Sequence, residues 1–91
     1  MAKTAVDLSW IVRNPEIRGG KPVIRGTRIP VTSIVVANTD PEQRMSPSKI
    51  AEAWHIELAA VEAALAYYDA HRAEVDDEIE RIERHAYGLD D

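Results

Sequence analysis

Residues 19–31 constrain the fold of this chain more than any other segment, because glycine, proline and β-branched residues alternate there. The run reads Gly-Gly-Lys-Pro-Val-Ile-Arg-Gly-Thr-Arg-Ile-Pro-Val. Gly26 stands at the first central position of a two-residue loop that Thr27 completes, and a type II′ turn needs a positive φ at that position. The pattern therefore predicts a tight hairpin in which residues 23–25 pair with residues 28–30.

The predicted hairpin brings two like charges together. In this register Ile24 faces Ile29 on one side of the ribbon, and Arg25 lies opposite Arg28 on the other. Like charges in that position destabilise a sheet unless an anion joins them. Two explanations stay open: an external anion binds this face, or acids of the same chain screen the arginines. The internal candidates are Asp7, Glu16 and the acidic C-terminal half.

Charge is distributed unevenly along the 91 residues, whose net charge is −5. Residues 1–37 carry six lysines and arginines against two acids, a balance of +4, whereas residues 38–91 carry five against fourteen, a balance of −9. A basic end can neutralise phosphate even when the whole protein is acidic. The candidate DNA contacts are Arg18, Lys21, Arg25, Arg28 and Lys49.

Composition also narrows the class of protein. There is no cysteine, which excludes disulfides and thiolate metal sites. No apolar run approaches the roughly 20 residues of a membrane span, and the first residues lead into no signal-peptide core. The three histidines are too far apart for local ligand spacing, and no serine has a plausible base. We expect a cytoplasmic protein with no membrane contact, no metal, no cofactor and no catalytic residues.

Helix signals follow the hairpin. Thr32 can cap a short helix, although its β-branched residues suit a strand equally well. Ser46 followed by Pro47 is typical of a helix start, with serine as the N-cap and proline in the first turn. Ile50, Ala53 and Trp54 then form one apolar stripe of a helix from residue 47 to about residue 54. A turn follows, and a second helix opens near residue 57, which together give a helix-turn-helix outline.

The longest regularity is a heptad-like seam in the C-terminal half, with steps of three and four residues. One uninterrupted helix over residues 58–85 would be roughly 42 Å long, too long for the rest of the chain to cover. Three arrangements stay open: a dimer-forming coiled helix, a tail that docks in a partner, or a break near residues 71–74 with the last helix folded back. The seam consists of Leu58, Val61, Leu65, Tyr68, Arg72, Val75, Ile79, Ile82, Ala86 and Leu89.

Three strings of the sequence resemble one family over roughly residues 8–80. They are Asn-Pro-Glu-Ile at 14–17, Gly-Lys-Pro-Val-Ile-Arg-Gly-Thr-Arg-Ile-Pro-Val at 20–31 and Ala-Ala-Leu-Ala-Tyr-Tyr at 63–68. The chain resembles the domain-of-unknown-function family 433 (DUF433). It departs from that family at residues 38–44, where a longer polar loop replaces a short link that is often marked by glycine.

The resemblance implies a mainly α fold with a small N-terminal β-ribbon, and a homeodomain-like or winged helix-turn-helix followed by a long C-terminal helix. It also favours a helix after residue 31. The 91 residues are about the length of one domain, and we expect a single domain, residues 1–91, divided into a ribbon (8–31), a helix-turn-helix core (32–70) and an acidic C-terminal helix or tail (71–91).

The resemblance also implies a function. Many members resemble antitoxins encoded beside a PIN-like ribonuclease toxin, and no enzymatic activity comes with the likeness. We therefore expect the antitoxin of a type II toxin-antitoxin system, which neutralises its toxin and binds its own promoter DNA as a homodimer. An arginine of the last helix could replace the cation held by the toxin's acidic residues. The candidate toxin contacts are Arg72, Val75, Ile79, Arg81, Ile82 and Arg84.

The alternative is a stand-alone helix-turn-helix transcriptional regulator or adaptor without a toxin, in which the seam serves self-association. In either case the second helix of the outline is a poor base reader, because its predicted free face offers alanine and glutamate. We expect the ribbon cations, rather than this helix, to contact DNA. The predicted free face consists of Ala59, Ala60, Glu62, Ala63 and Ala66.

Overall fold

The computed structural model describes residues 7–86, and side chains as far as residue 82. This part of the chain is mainly helical, with a small antiparallel sheet near the N-terminus, as the sequence predicts. No helix within it is long and apolar enough to cross a membrane. The elements are β1 (Ile11–Val12), β2 (Val23–Ile24), α1 (Val31–Thr39), α2 (Pro47–Trp54), α3 (Leu58–Ala70) and α4 (Arg72–Ala86), with short 3-10 turns at Leu8–Trp10 and Arg18–Gly20.

The ribbon is formed by β1 and β2, with Ile11 opposite Ile24. The predicted hairpin register is confirmed, since the Ile24 amide donates to the Ile29 carbonyl at 2.9 Å. The predicted turn is wrong by one residue. The Thr27 amide donates to the Ile24 carbonyl at 3.0 Å, so Gly26, with φ +80°, is the second central residue. A positive φ there is what a type II turn requires.

Helix α1 begins two residues earlier than a cap at Thr32 predicts. Pro30, with φ −76° and ψ 151°, is the residue before its first turn, and no side chain caps it. Thr32 is therefore not a cap: it lies inside the helix and is buried. The loop after α1 is closed at its base, where the Asn38 amide nitrogen donates to the Met45 carbonyl at 3.0 Å. This closure gives the long polar loop a defined exit into α2.

The start of α2 is confirmed, because Ser46 Oγ accepts from the Lys49 amide at 3.3 Å and proline follows in the first turn. The helix ends at His55, which adopts the left-handed conformation with φ 55° and ψ 47°. A turn of three residues then leads into α3. The predicted succession of a short helix, a turn and a longer helix is thus present in the backbone.

The buried face of α3 differs from the one that the seam predicts. Ala60 and Ala63, expected on the free face, are fully buried, and Leu58, expected in the seam, is 41% exposed. Alanine at these positions lets α3 approach α1 and α2 closely, so small residues rather than large ones line the contact. The residues of α3 that are buried are Ala60, Val61, Ala63, Ala64 and Tyr67.

The seam is interrupted where α3 ends, which selects the third of the arrangements left open. His71 has φ −129° and ψ 42°, outside the helical region. Helix α4 then folds back onto α1 and α3, and Val75 is buried in the shared core. A single helix of 42 Å is therefore not formed. The C-terminal end of the seam, Leu89, lies outside the described residues.

Candidate nucleic-acid interface

Two of the predicted DNA contacts, Arg18 and Arg28, line one groove between the ribbon, the start of α1 and the end of α2. The groove is open to solvent and has a volume of about 510 Å³. One wall comes from the ribbon and its exit into α1, and the other from the last residues of α2 and the turn that follows. The lining residues are Arg18, Arg28, Ile29, Pro30, Ser33, Ala53, Trp54 and His55.

Arg18 is held in place by its own backbone and by one hydrogen bond. Its φ of +50° lies in the left-handed region, which a non-glycine residue occupies only at a cost. The neighbouring backbone fixes this conformation, since the Lys21 amide donates to the Arg18 carbonyl at 3.3 Å. Arg18 Nε then donates to the Arg28 carbonyl at 2.8 Å. The terminal guanidinium nitrogens of Arg18 remain as donors toward the groove.

The arginines of this groove differ from four other cations of the described residues, which are ion-paired. Within residues 7–82, four cations form ion pairs with carboxylates, and neither Arg18 nor Arg28 is among them. No acid is present among the eight residues that line the groove. An uncompensated pair of guanidinium groups attracts an anion, and the flat fork of arginine suits phosphate oxygens. The ion-paired cations are Arg13, Lys21, Arg72 and Arg81.

Arg25 lies in a second groove, beside the first. Its guanidinium donates to the carbonyl and to Oγ of Ser9, both at 3.0 Å, and its Cζ atom lies 4.7 Å from the centre of the Trp10 ring. The hydrogen bonds from Ser9 lower the pKa of Asp7, and the charge of Arg25 adds to that effect. Arg25 is thus engaged within the chain, and Asp7 screens it, as one of the two open explanations proposed.

The predicted face-to-face placement of Arg25 and Arg28 is therefore wrong. The turn spans residues 24–27 instead of the predicted 25–28, and the two side chains line separate grooves. His55 lines both grooves and stands between them. Arg25 and Arg28 therefore do not line a common groove.

The two lysines predicted to contact DNA lie apart from the arginine groove. Lys21 Nζ is 2.5 Å from Glu78 Oε2 of α4. Lys49 is exposed in the first turn of α2, at the opposite end of that helix from Trp54. The structure thus brings together only Arg18 and Arg28 from the predicted set of five.

The residues predicted to contact a toxin lie on α4 in three different environments. Val75 is 2% exposed and packs in the chain's own core, whereas Ile82 is 49% exposed; Ile79 is partly buried against that core. Arg72 pairs with Asp69 at 3.0 Å, and Arg81 pairs with Asp77 at 2.8 Å. The backbone of Arg84 belongs to α4, and its side chain lies outside the described residues.

Two side chains of the groove were not singled out from the sequence as ligand contacts. Trp54 was assigned to the apolar stripe of α2, and it is only partly buried. It also lines a third groove, together with residues of α1 and α4. No sequence pattern pointed to His55 as a groove residue, because it reaches the groove from a left-handed backbone conformation that no local motif marks. A tryptophan on the last turn of a short helix, directly before a turn, is the one sequence feature that could have indicated Trp54.

The groove combines hydrogen-bond donors that suit an anion with a flat aromatic ring. Within the described residues no group of three metal-ligating side chains occurs. The groove offers guanidinium donors, the hydroxyl of Ser33, an imidazole and an indole. None of these is placed as a nucleophile beside a base and an orienting acid, the constellation that hydrolysis requires.

The family model described as "Protein of unknown function (DUF433)" matches residues 11–68. This span contains the ribbon, both arginines of the groove, and helices α1 to α3 up to Tyr68. Comparison with curated proteins and with solved structures gives no match. A match over more than half of the chain establishes membership, and the chain belongs to the DUF433 family.

Proposed function

We propose that this protein is a non-enzymatic regulator of the antitoxin type, which binds nucleic acid through the arginine groove and a toxin protein through α4. The observation that carries the nucleic-acid part is the absence of any carboxylate among the groove residues around Arg18 and Arg28. Phosphate contacts of this kind supply affinity without reading sequence. The bound DNA in this proposal is the protein's own promoter.

The toxin part of the proposal is supported by the outer surface of α4. Ile82 is half exposed beside Ile79 and Trp54, and these three side chains line a groove of about 290 Å³ between α1, α2 and α4. Exposed apolar side chains on a helix that also carries arginine are typical anchors of protein interfaces. The resemblance described above supplies the partner, a PIN-like ribonuclease, whose acidic metal site would accept an arginine.

Co-expression tests the antitoxin proposal. The tagged chain is produced with the protein encoded immediately beside it, and copurification and relief of growth arrest are measured. We expect a stable complex and rescued growth. Ile82→Glu should weaken both, because it places a charge in the apolar contact. Leu58→Glu, which changes an equally exposed apolar residue on α3, is the matched control. A neighbour that neither binds nor arrests growth contradicts the proposal.

The second candidate function is a stand-alone regulator without a toxin, in which α4 serves self-association. The α2-turn-α3 unit and the arginine groove are compatible with it. Sedimentation of the free protein and a salt-dependent promoter shift distinguish the two. A dimer that binds its promoter, with an inert neighbour, favours this candidate. An intact shift in the Arg18→Gln/Arg28→Gln variant contradicts the role of the groove in both.

A further inference from the structure

We infer that the arginine groove is a subsite for a single unstacked nucleotide, with a base against the Trp54 ring and a phosphate on Arg18 and Arg28. The ligand class is therefore single-stranded nucleic acid rather than an intact duplex. The inference rests on the proposed role of the groove in binding nucleic acid, and it replaces the promoter duplex by a single strand as the ligand of that groove. It adds a ligand chemistry and an aromatic contact that the proposed function does not contain.

The first step is the combination of groups in the groove. Single-strand binding sites join a positive groove for the backbone with an aromatic ring on which a base stacks. Here both parts occur in one groove of about 510 Å³, and the partly buried Trp54 supplies the ring. Trp54 also packs against the core, which fixes the position of its ring at the edge of the groove.

The second step is the electrostatic direction of the groove. The N-terminal end of α1 contributes its N-cap Pro30 and Ser33 of its first turn, which carries no acid. A helix N-terminus carries partial positive charge. Trp54 lies at the C-terminal end of α2, whose partial charge is negative and disfavours an anion. The phosphate therefore belongs on the side of Arg18 and Arg28, and the neutral base belongs on the side of Trp54.

The third step concerns the helix that would read a duplex. A helix-turn-helix protein places its second helix in the major groove of DNA. Here α3 opens with Glu57 and Leu58, and Glu62 is exposed on the next turn. Carboxylates repel phosphate, and the side chains of this surface offer none of the bidentate partners that guanine and adenine require. The structure thus lacks the reading helix of duplex recognition while it retains a platform for one base.

Tryptophan fluorescence tests the inference directly. In the full-length Trp10→Phe variant, Trp54 is the only tryptophan, because the chain contains two. A short single-stranded DNA and a short single-stranded RNA of mixed sequence are added separately. We expect quenching of Trp54 by at least one of them, since base stacking perturbs the indole. Unchanged fluorescence at saturating concentrations of both strands overturns the inference.

Affinity measurements separate stacking from charge. Stacking on an aromatic side chain contributes about 1–3 kcal/mol per base, so Trp54→Leu should weaken single-strand binding by roughly tenfold. Arg18→Gln and Arg28→Gln should weaken it and reduce its salt dependence. Arg44→Gln removes the same charge outside the groove and is the matched control. Circular dichroism of each variant checks that it is folded, and the fluorescence arm does not depend on Trp54→Leu.

Competition by inorganic phosphate distinguishes a nucleotide site from a simple anion site. We expect phosphate alone to displace the single strand weakly and to leave Trp54 fluorescence unchanged. If inorganic phosphate displaces the single strand as strongly as a mononucleotide does, the stacking role of the Trp54 ring is overturned.

The matching duplex separates this inference from the proposed function. Duplex binding without any single-strand binding overturns the inference and leaves the proposed promoter contact. Single-strand binding without duplex binding supports the inference and removes the promoter from the proposed function. If neither the single strand nor the duplex binds, both the inference and the proposed nucleic-acid contact are contradicted.

Discussion

Lys21 Nζ lies 2.5 Å from Glu78 Oε2, and this contact joins the ribbon end of the chain to α4. A second ion pair, between Arg13 and Glu74 at 2.6 Å, lies one helical turn away on the same helix. Val75 is buried between these two acids in the sequence. The two pairs therefore flank the point at which α4 packs into the core, and they hold the helix in its folded-back position.

We expect the Lys21–Glu78 pair to stabilise the fold modestly and in a salt-sensitive way. The Glu78 side chain is only 19% exposed, whereas both partners of Arg81–Asp77 are more than half exposed. A double-mutant cycle with Lys21→Met and Glu78→Gln should give a coupling of about 0.5–1 kcal/mol, against a few tenths for the Arg81–Asp77 control. Urea unfolding at low and high salt measures both couplings. A Lys21–Glu78 coupling no larger than the control contradicts this role.

The N-cap of α2 provides a second prediction. Ser46 Oγ accepts the Lys49 amide proton, while Ser48 is exposed within the helix. Ser46→Ala should lower the free energy of unfolding by about 1 kcal/mol, because one amide of the first turn loses its acceptor. Ser48→Ala, the control, should leave it unchanged or raise it slightly. Urea unfolding of the two variants gives the comparison, and equal effects would contradict the assigned cap.

The start of α2 and the hairpin register could be predicted because their signals are local. Serine before proline and a glycine at a turn fix the backbone within four residues, whatever the rest of the chain does. The arginines of the groove could be named for the same reason, since charge is visible in the sequence. The separation of Arg25 and Arg28 into two grooves could not be predicted, because it accompanies a turn displaced by one residue.

The break at His71 was one of three arrangements that the sequence left open, and the spacing of the seam could not select it because that spacing continues through the break without change. Whether Val75 extends a long helix or folds back is decided by contacts that are distant in sequence. Arg13 reaches Glu74 across 61 residues, and it also donates to the hydroxyl of Tyr67. Hydrophobic periodicity shows which residues share one face of a helix. It carries no information about contacts between residues that are distant in sequence.

The different burial of two isoleucines predicts that their replacement by alanine lowers the free energy of unfolding by very different amounts. Ile50 of α2 is fully buried, and Ile82 of α4 is 49% exposed. Ile50→Ala should destabilise the protein by about 2–5 kcal/mol, because the lost contacts leave a cavity. Ile82→Ala should cost below about 1 kcal/mol, since most of its surface stays in water. Thermal and urea unfolding test this pair, and similar losses for both would mean that α4 buries Ile82 in solution.

Tyr68 gives the alkaline pH dependence. Its hydroxyl donates to Asp76 Oδ1 at 2.8 Å, and this hydrogen bond is the main reason that the pKa of Tyr68 lies above its ordinary value of 10.0. Because the pKa of Tyr68 is higher in the folded protein than in the unfolded chain, the stabilisation from this hydrogen bond is fully present at pH values below the unfolded pKa. It is lost as the pH rises through the folded pKa.

Asp76→Asn should therefore shift the pKa of Tyr68 back toward its ordinary value. Alkaline absorbance titration measures that change, and Tyr68→Phe identifies which transition belongs to this phenol. Urea unfolding of the wild type at neutral and alkaline pH should show the matching loss of stability, which Tyr68→Phe removes. An unchanged phenol titration in Asp76→Asn would show that the hydrogen bond is not the cause.

The left-handed residue between α2 and α3 carries the last prediction. His55 has φ 55° and ψ 47°, a conformation that costs a non-glycine residue about 1–2 kcal/mol, while glycine adopts it freely. His55→Gly should therefore raise the free energy of unfolding by about 0.5–1 kcal/mol, less the entropy that glycine adds to the unfolded chain. His55→Val should lower it by about 1 kcal/mol, because β-branched residues tolerate a positive φ poorly. His55→Asn should have a free energy of unfolding near that of the wild type, because asparagine tolerates this conformation. Thermal unfolding of the three variants gives the order Gly, Asn, Val, and a valine variant as stable as glycine would mean that the turn adopts another backbone conformation.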